Sequence, residues 1–293
     1  MEGPAMSPDG LLYFSDFPNF EGKAAKAGII WTLNPATGES KVFRSPSGMS
    51  NGLKFDAAGD LLACEGGNLG GRQIIKTDMK TGKSYILAAL YNGKRFNSPN
   101  DLIIDEKGRV YFTDPRYLGP ETVEQNGMNV YRIDNDGSVH LAAANVAKPN
   151  GLVLSPDQQT LYVANCDFPG NGRAGFSFEE GAVRPTGEGA IYAYSVKPDG
   201  TLQFRSKLID YGSTVGPDGM TVDSEGNLYV ALGTKVGVYS PSGKWITDIA
   251  CPRATNLCFG RGQYRKTLFI VGGKSVYSVE TNKEGYFPAS VKK

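Results

Sequence analysis

One phrase returns six times along this chain: a polar residue, an apolar strand, a turn and a second apolar strand. Its clearest copy runs Pro149-Asn150-Gly151-Leu152-Val153-Leu154, Ser155-Pro156-Asp157, Leu161-Tyr162-Val163-Ala164. The other copies are headed by Glu2, Asn51, Asn100, Asp218 and Asn256, and successive heads lie 49, 49, 50, 68 and 38 residues apart. A repeat of roughly 40–50 residues with room for four strands is the signature of a propeller blade. Six copies predict an all-β, six-bladed β-propeller of four-stranded antiparallel blades around a central channel. The first strand of each blade lines that channel, so the six heads form a ring at one mouth.

A blade cannot bury its faces alone. The continuous repeat therefore predicts one closed domain over 1–293, although a chain of 293 residues could hold two. A net charge of +1 gives no broad attraction to nucleic acid or to a membrane surface, and no apolar run reaches the ~18 residues of a spanning helix. There is no charged-then-apolar leader at the start. Cys64 and Cys258 lie in apolar strand text and read as buried thiols; a Cys251–Cys258 bridge is the alternative. The lack of a disulfide framework favours a reducing compartment. A cytoplasmic location is expected, with a periplasmic or secreted one if the N-terminus has been trimmed.

The outer hairpins repeat as well. Turns at 34–38, 80–82, 135–137 and 241–243 each separate two apolar stretches. Residues 17–27 read as a polar loop. Residues 166–188 are rich in Gly, Phe and Glu and lack alternation, so an inserted loop there accounts for the long fourth spacing.

The ring of heads offers only oxygen donors. Taken singly, Asn, Asp and Gly before a strand are ordinary turn residues, and a merely solvated channel mouth is the plain reading. Six polar heads in register, two of them acidic, point instead to a metal site. Glu2, Asn150 and Asp218 supply hard oxygen ligands from three blades, and Asn100 a fourth. Calcium accepts carboxylate and amide oxygens in loose geometry, whereas structural zinc prefers Cys and His. The one histidine, His140, falls late in the third repeat, so serine–histidine catalysis is excluded and a carboxylate must serve as base. Asp218 is the candidate. No phosphate loop is present, and the Gly66–Gly71 run does not fit the dinucleotide fingerprint.

These motifs together resemble the senescence-marker-protein/gluconolactonase/luciferin-regenerating-enzyme family, closest to its bacterial gluconolactonases. The matching text includes Glu2-Gly3-Pro4, Asn51-Gly52-Leu53, Ser98-Pro99-Asn100-Asp101, Pro149-Asn150-Gly151-Leu152, Pro217-Asp218-Gly219-Met220 and Thr255-Asn256-Leu257, spread over nearly the whole chain. The resemblance implies one divalent ion, calcium or zinc, at the channel mouth. Its ligands would be Glu2, Asn100, Asn150 and Asp218, with Asp218 as the base and Asn100 alternatively a substrate contact. It places Arg95 and Asp101 near a sugar, and Asn51, Glu65 and Tyr117 on the pocket wall. The implied activity is hydrolysis of sugar-acid lactones, with a small-molecule lactone as the partner of a monomer or weak oligomer. A phosphotriesterase resembling diisopropyl fluorophosphatase and a non-catalytic calcium-binding propeller are the alternatives. Relatives carry a further strand before the Glu-Gly-Pro motif. Here only Met1 precedes it, so either the chain is shortened or another segment, Tyr286-Phe287, is expected to close the last blade.

Overall fold

A computed structural model describes residues 1–17, 28–117, 119–167 and 187–288. The expected polar loop at 17–27 and the expected insertion at 166–188 lie almost wholly outside these residues. Apart from a two-stranded hairpin of Leu90–Tyr91 and Lys94–Arg95, the strands group into six sheets set in a ring, each running outward in chain order from an inner strand at the channel. The inner strands are Glu2–Met6, Ser50–Phe55, Leu102–Ile104, Pro149–Leu154, Met220–Val222 and Asn256–Phe259. Each touches the next, and the sixth touches the first, which closes the ring. This is the six-bladed β-propeller read from the repeat.

Five of the sheets have four strands; among the described residues the sixth has three, ending at Ser275–Glu280. Tyr286-Phe287 does not supply the missing strand. The segment turns under the ring instead: Gly285 donates its N–H to Arg265 O at 2.9 Å, and Tyr286 donates to Val222 O at 3.1 Å, on the inner strand of blade five. Phe287 follows two residues behind Gly285, whose only strand contact is a single bridge to Asp223. A one-residue bridge leaves too little backbone for an outer strand.

The turn between the first two strands of a blade explains why the phrase repeats. Asp105 accepts the N–H groups of Lys107 and Arg109, each at 2.9 Å. Asp56 and Asp223 do the same in blades two and five, so the side chain replaces the backbone acceptor that the turn lacks. The fourth turn residue is left-handed, with φ of 85° at Gly108, and Gln158 takes that conformation in blade four.

Apolar side chains alternate along the inner strands and pack between blades. Six buried clusters result, one at each blade boundary. Between blades two and three, Phe112 stacks on Tyr131 at 5.6 Å and takes the edge of Phe96 at 5.0 Å. Truncating Phe112 to Ala should cost about 3–5 kcal/mol, measured by urea unfolding; a loss below 1 kcal/mol would mean the boundary clusters do not carry the fold. All four cysteines are buried free thiols, Cys251 and Cys258 included, so the alternative bridge does not form. His140 sits half-exposed on the outermost strand of blade three, its ring 3.1 Å from Asp134. No helix among the described residues is long and apolar enough to cross a membrane.

Candidate active site

The heads are aimed by bulges. In blade three Asn100 donates to Thr113 O at 2.9 Å, and Thr113 donates back to Asp101 O at 3.0 Å. Two residues of the inner strand thus oppose one on its neighbour, which turns the first side chain toward the channel mouth. Asp218 and Gly219 face Ala231 in the same way, at 3.0 and 2.9 Å. In blades one, two and four the register shifts at the same place, between Glu2 and Ala5, Ser50 and Leu53, and Pro149 and Leu152.

Blade six requires a correction. Thr255 donates to Val271 O at 2.9 Å, and Asn256 pairs with Val271. By register the sixth head is therefore Thr255, and Asn256 is the residue below it. The spacing held the signal: in the other five blades the first apolar or ring residue follows the head by two, and Leu257 follows Thr255, not Asn256, by two.

A closed circuit of hydrogen bonds joins the heads, one bond per blade boundary. Ser15 Oγ donates to Asn51 O (2.8 Å), Gly52 N to Asn100 O (2.7 Å) and Thr113 Oγ1 to Asn150 O (2.7 Å). Gly151 N donates to Asp218 O (3.3 Å), Gly219 N to Thr255 O (2.8 Å) and Thr255 Oγ1 to Met1 O (2.7 Å). Beneath this layer Asp101 and Asn256, both buried, meet across the channel, with Asn256 Nδ2 3.4 Å from Asp101 Oδ2. A Cβ at Gly219 would collide with the Asn256 amide. Gly219→Ala should therefore destabilise by about 1–3 kcal/mol through overpacking, read as a shifted urea midpoint; an unchanged midpoint would show that the Asp101–Asn256 layer yields freely.

Above that layer opens a cavity of about 220 Å³. The structure brings Glu2, Asn51, Asn100, Asn150, Asp218 and Tyr117 to its wall. Three other candidates do not line it. Asp101 lies one layer deeper. Glu65 sits behind the wall, 2.6 Å from Gln73 Nε2. Arg95 is exposed on a two-residue strand, bonded to Gly71 O and, through its N–H, to Glu124. The wall also includes Cys166, Ser98 and Met49, none of which the sequence pattern singled out. Ser98 had a signal: it precedes Pro99-Asn100, and the buried Asp114 carboxylate takes the N–H groups of Asn97 and Ser98 at 2.8 and 2.7 Å, which sets the approach to that head. Cys166 had none.

The electrostatics are one-sided. Among the described residues no Lys or Arg lines the cavity. Burial pushes the Glu2 carboxyl up from 4.5 to about 7. Burial, and then the charge of Glu2, hold Asp218 well above the usual carboxylate range. Asn51 Oδ1 and the Tyr117 hydroxyl are buried on this wall without a hydrogen-bond partner. Burial and the Asp218 charge push the Cys166 thiol up to about 12, which keeps it protonated and weak as a nucleophile. Among the described residues no three His, Cys, Asp or Glu side chains form a cluster; the donor set here is two carboxylates with amides. Two crowded carboxylates, orphaned oxygen acceptors and no basic neighbour fit a hard divalent cation.

A family model described as the SMP-30/gluconolactonase/LRE-like region matches residues 1–273. The chain is 34% identical to the gluconolactonase of Zymomonas mobilis, over 97% of this chain and 79% of that one. It is 29% identical to the lactonohydrolase oryL of Aspergillus oryzae, over 98% and 69% respectively. Among solved structures, a gluconolactonase of Xanthomonas campestris superposes with a TM-score of 0.74 at 31% identity, covering 97% of this chain and 86% of that one.

Proposed function

Because this chain belongs to the SMP-30/gluconolactonase/LRE-like family, we propose that it is a lactonase that opens sugar-acid lactones in the mouth cavity. The observation that carries the reading is the pairing of two half-buried carboxylates, Glu2 and Asp218, on a wall where no described residue is basic. Glu2, Asn100, Asn150 and Asp218 would hold a divalent cation, calcium foremost. When bound, the ion would polarise the lactone carbonyl as a Lewis acid.

The chain's own residues supply the rest. Asp218 takes the proton of a water whose oxygen attacks the carbonyl carbon. As the ring C–O bond breaks, the same carboxyl returns that proton to the departing oxygen, and a hydroxy acid leaves. The unpartnered Asn51 Oδ1 and Tyr117 hydroxyl are free to bond the sugar hydroxyls. Cys166, held protonated, is left out of the chemistry, and His140 is too far out on its blade to take part.

A panel of aldonolactones, simple esters and a phosphotriester, run on chelated protein with each divalent ion added back, tests the assignment. Turnover of the lactones alone, restored by calcium, is expected. Hydrolysis of the phosphotriester in preference to every lactone would replace the assignment.

A further inference from the structure

Below the Asp101–Asn256 layer the channel widens again into a second chamber of about 90 Å³. Its sides are apolar: Ile103, Val153, Met220, Val222 and Phe259 come from four inner strands. Two cations reach it, Lys54 from blade two and Arg261 from just past the inner strand of blade six, and among the described residues no Asp or Glu lines it. The Lys54 ammonium makes no hydrogen bond or ion pair with any described residue. Asp101, one layer above, feels its charge, but the two form no ion pair.

The floor is the segment that failed to complete blade six. Tyr286 is tied to blade five through Val222 O. Its hydroxyl donates to Glu106 at 3.1 Å and accepts from Gln158 Nε2 at 3.2 Å, which reaches blades three and four. Phe287 lies against the Arg261 guanidinium, 4.6 Å from ring centre to Cζ.

The half-buried Lys54 ammonium has no acceptor among the described residues, and a charge-assisted bond to an anion is stronger than one to a neutral partner. A ligand with a carboxylate at one end and a short hydrocarbon at the other matches both the charge and the walls. We infer that the lower chamber binds a short-chain monocarboxylate. Its carboxylate lies on Lys54 and Arg261, and its chain lies against the apolar inner strands. Neither cation lines the mouth cavity, so the two sites are separate.

The test uses the full chain stripped of divalent ions, so that no cation at the mouth can hold a carboxylate. Calorimetry with acetate, propionate, butyrate and sodium chloride should give saturable carboxylate binding that tightens from acetate to propionate. It should weaken at least about tenfold in Lys54→Met and less than about threefold in Lys54→Arg. Crystals soaked in propionate should show it between Lys54 and Arg261, a readout that needs no variant. No saturable binding, equal affinity in Lys54→Met, chloride binding as tight as propionate, or propionate found only at the mouth would each overturn the inference.

Discussion

Asp218→Asn should lower lactone turnover by about a thousandfold while the propeller stays folded. The change keeps the shape and an oxygen donor but removes the proton acceptor, and losses of about 10²–10⁴ are typical for a positioned general base. It also removes charge from the half-buried pair. Asp218 is held well above its usual range by burial and by Glu2, so the neutral amide should relieve repulsion and leave the urea midpoint of the chelated protein equal or higher. The kinetic split is informative. A kcat loss with KM nearly constant marks an interaction made in the transition state, whereas a matching rise in KM marks lost binding. Metal affinity should be measured in parallel, because the same oxygen is a proposed ligand. A variant that keeps more than about a tenth of wild-type turnover would end the role given to Asp218.

The second large effect is on stability, and its sign depends on whether a cation is present. With chelator, Glu2 has a folded pKa of about 7 against an ordinary 4.5, and Asp218 is shifted in the same direction. The folded chain therefore keeps protons that the unfolded chain releases between those values. Stability is fully present below about pH 4.5 and falls as pH rises through about 7, by on the order of 3 kcal/mol from Glu2 alone. A cation needs both carboxylates ionised, so calcium should stabilise strongly near pH 8 and little near pH 5, with a gain of about 2.7 kcal/mol at a hundredfold excess over Kd. Thermal scans at both pH values, with chelator and with calcium, check this. The Glu2→Gln variant should lose part of the chelator slope, and the remainder belongs to Asp218, whose shift comes first from burial. Equal stabilisation by calcium at both pH values would show that these carboxylates do not hold the ion.

The repeat carried most of the architecture, because the blades state the same period-two pattern and five of them the same Asp- or Ser-led turn. What it carried poorly were features set by contacts between blades. Asn256 looked like a head because it is an Asn before an apolar run, yet its backbone pairs with Val271 as the residue below a head. Asp101 looked like a substrate contact by its place in a motif, yet the bulge that turns Asn100 up turns Asp101 down onto Asn256. The end of the chain was legible only as apolar; which part of the molecule it would cover depended on carbonyls of Arg265 and Val222, far away in sequence. The outer strand of blade four, Leu202–Gly212, has mostly exposed residues on both faces and little alternation to read. For the candidate site, residue types and order were visible in advance. Their convergence on one wall required the ring, and the roles of Glu65 and Arg95 remain tied to the family likeness alone.

At Asn51, Asn100, Asn150 and Asp218 the hydrogen-bonded circuit at the mouth uses the carbonyl, never the carboxylate or amide that the residue points inward. Anchorage and chemistry are thus assigned to different atoms of the same residue. A lineage can exchange one inward group for another, and so change what the mouth accepts, without unpicking the circle that keeps the blades together.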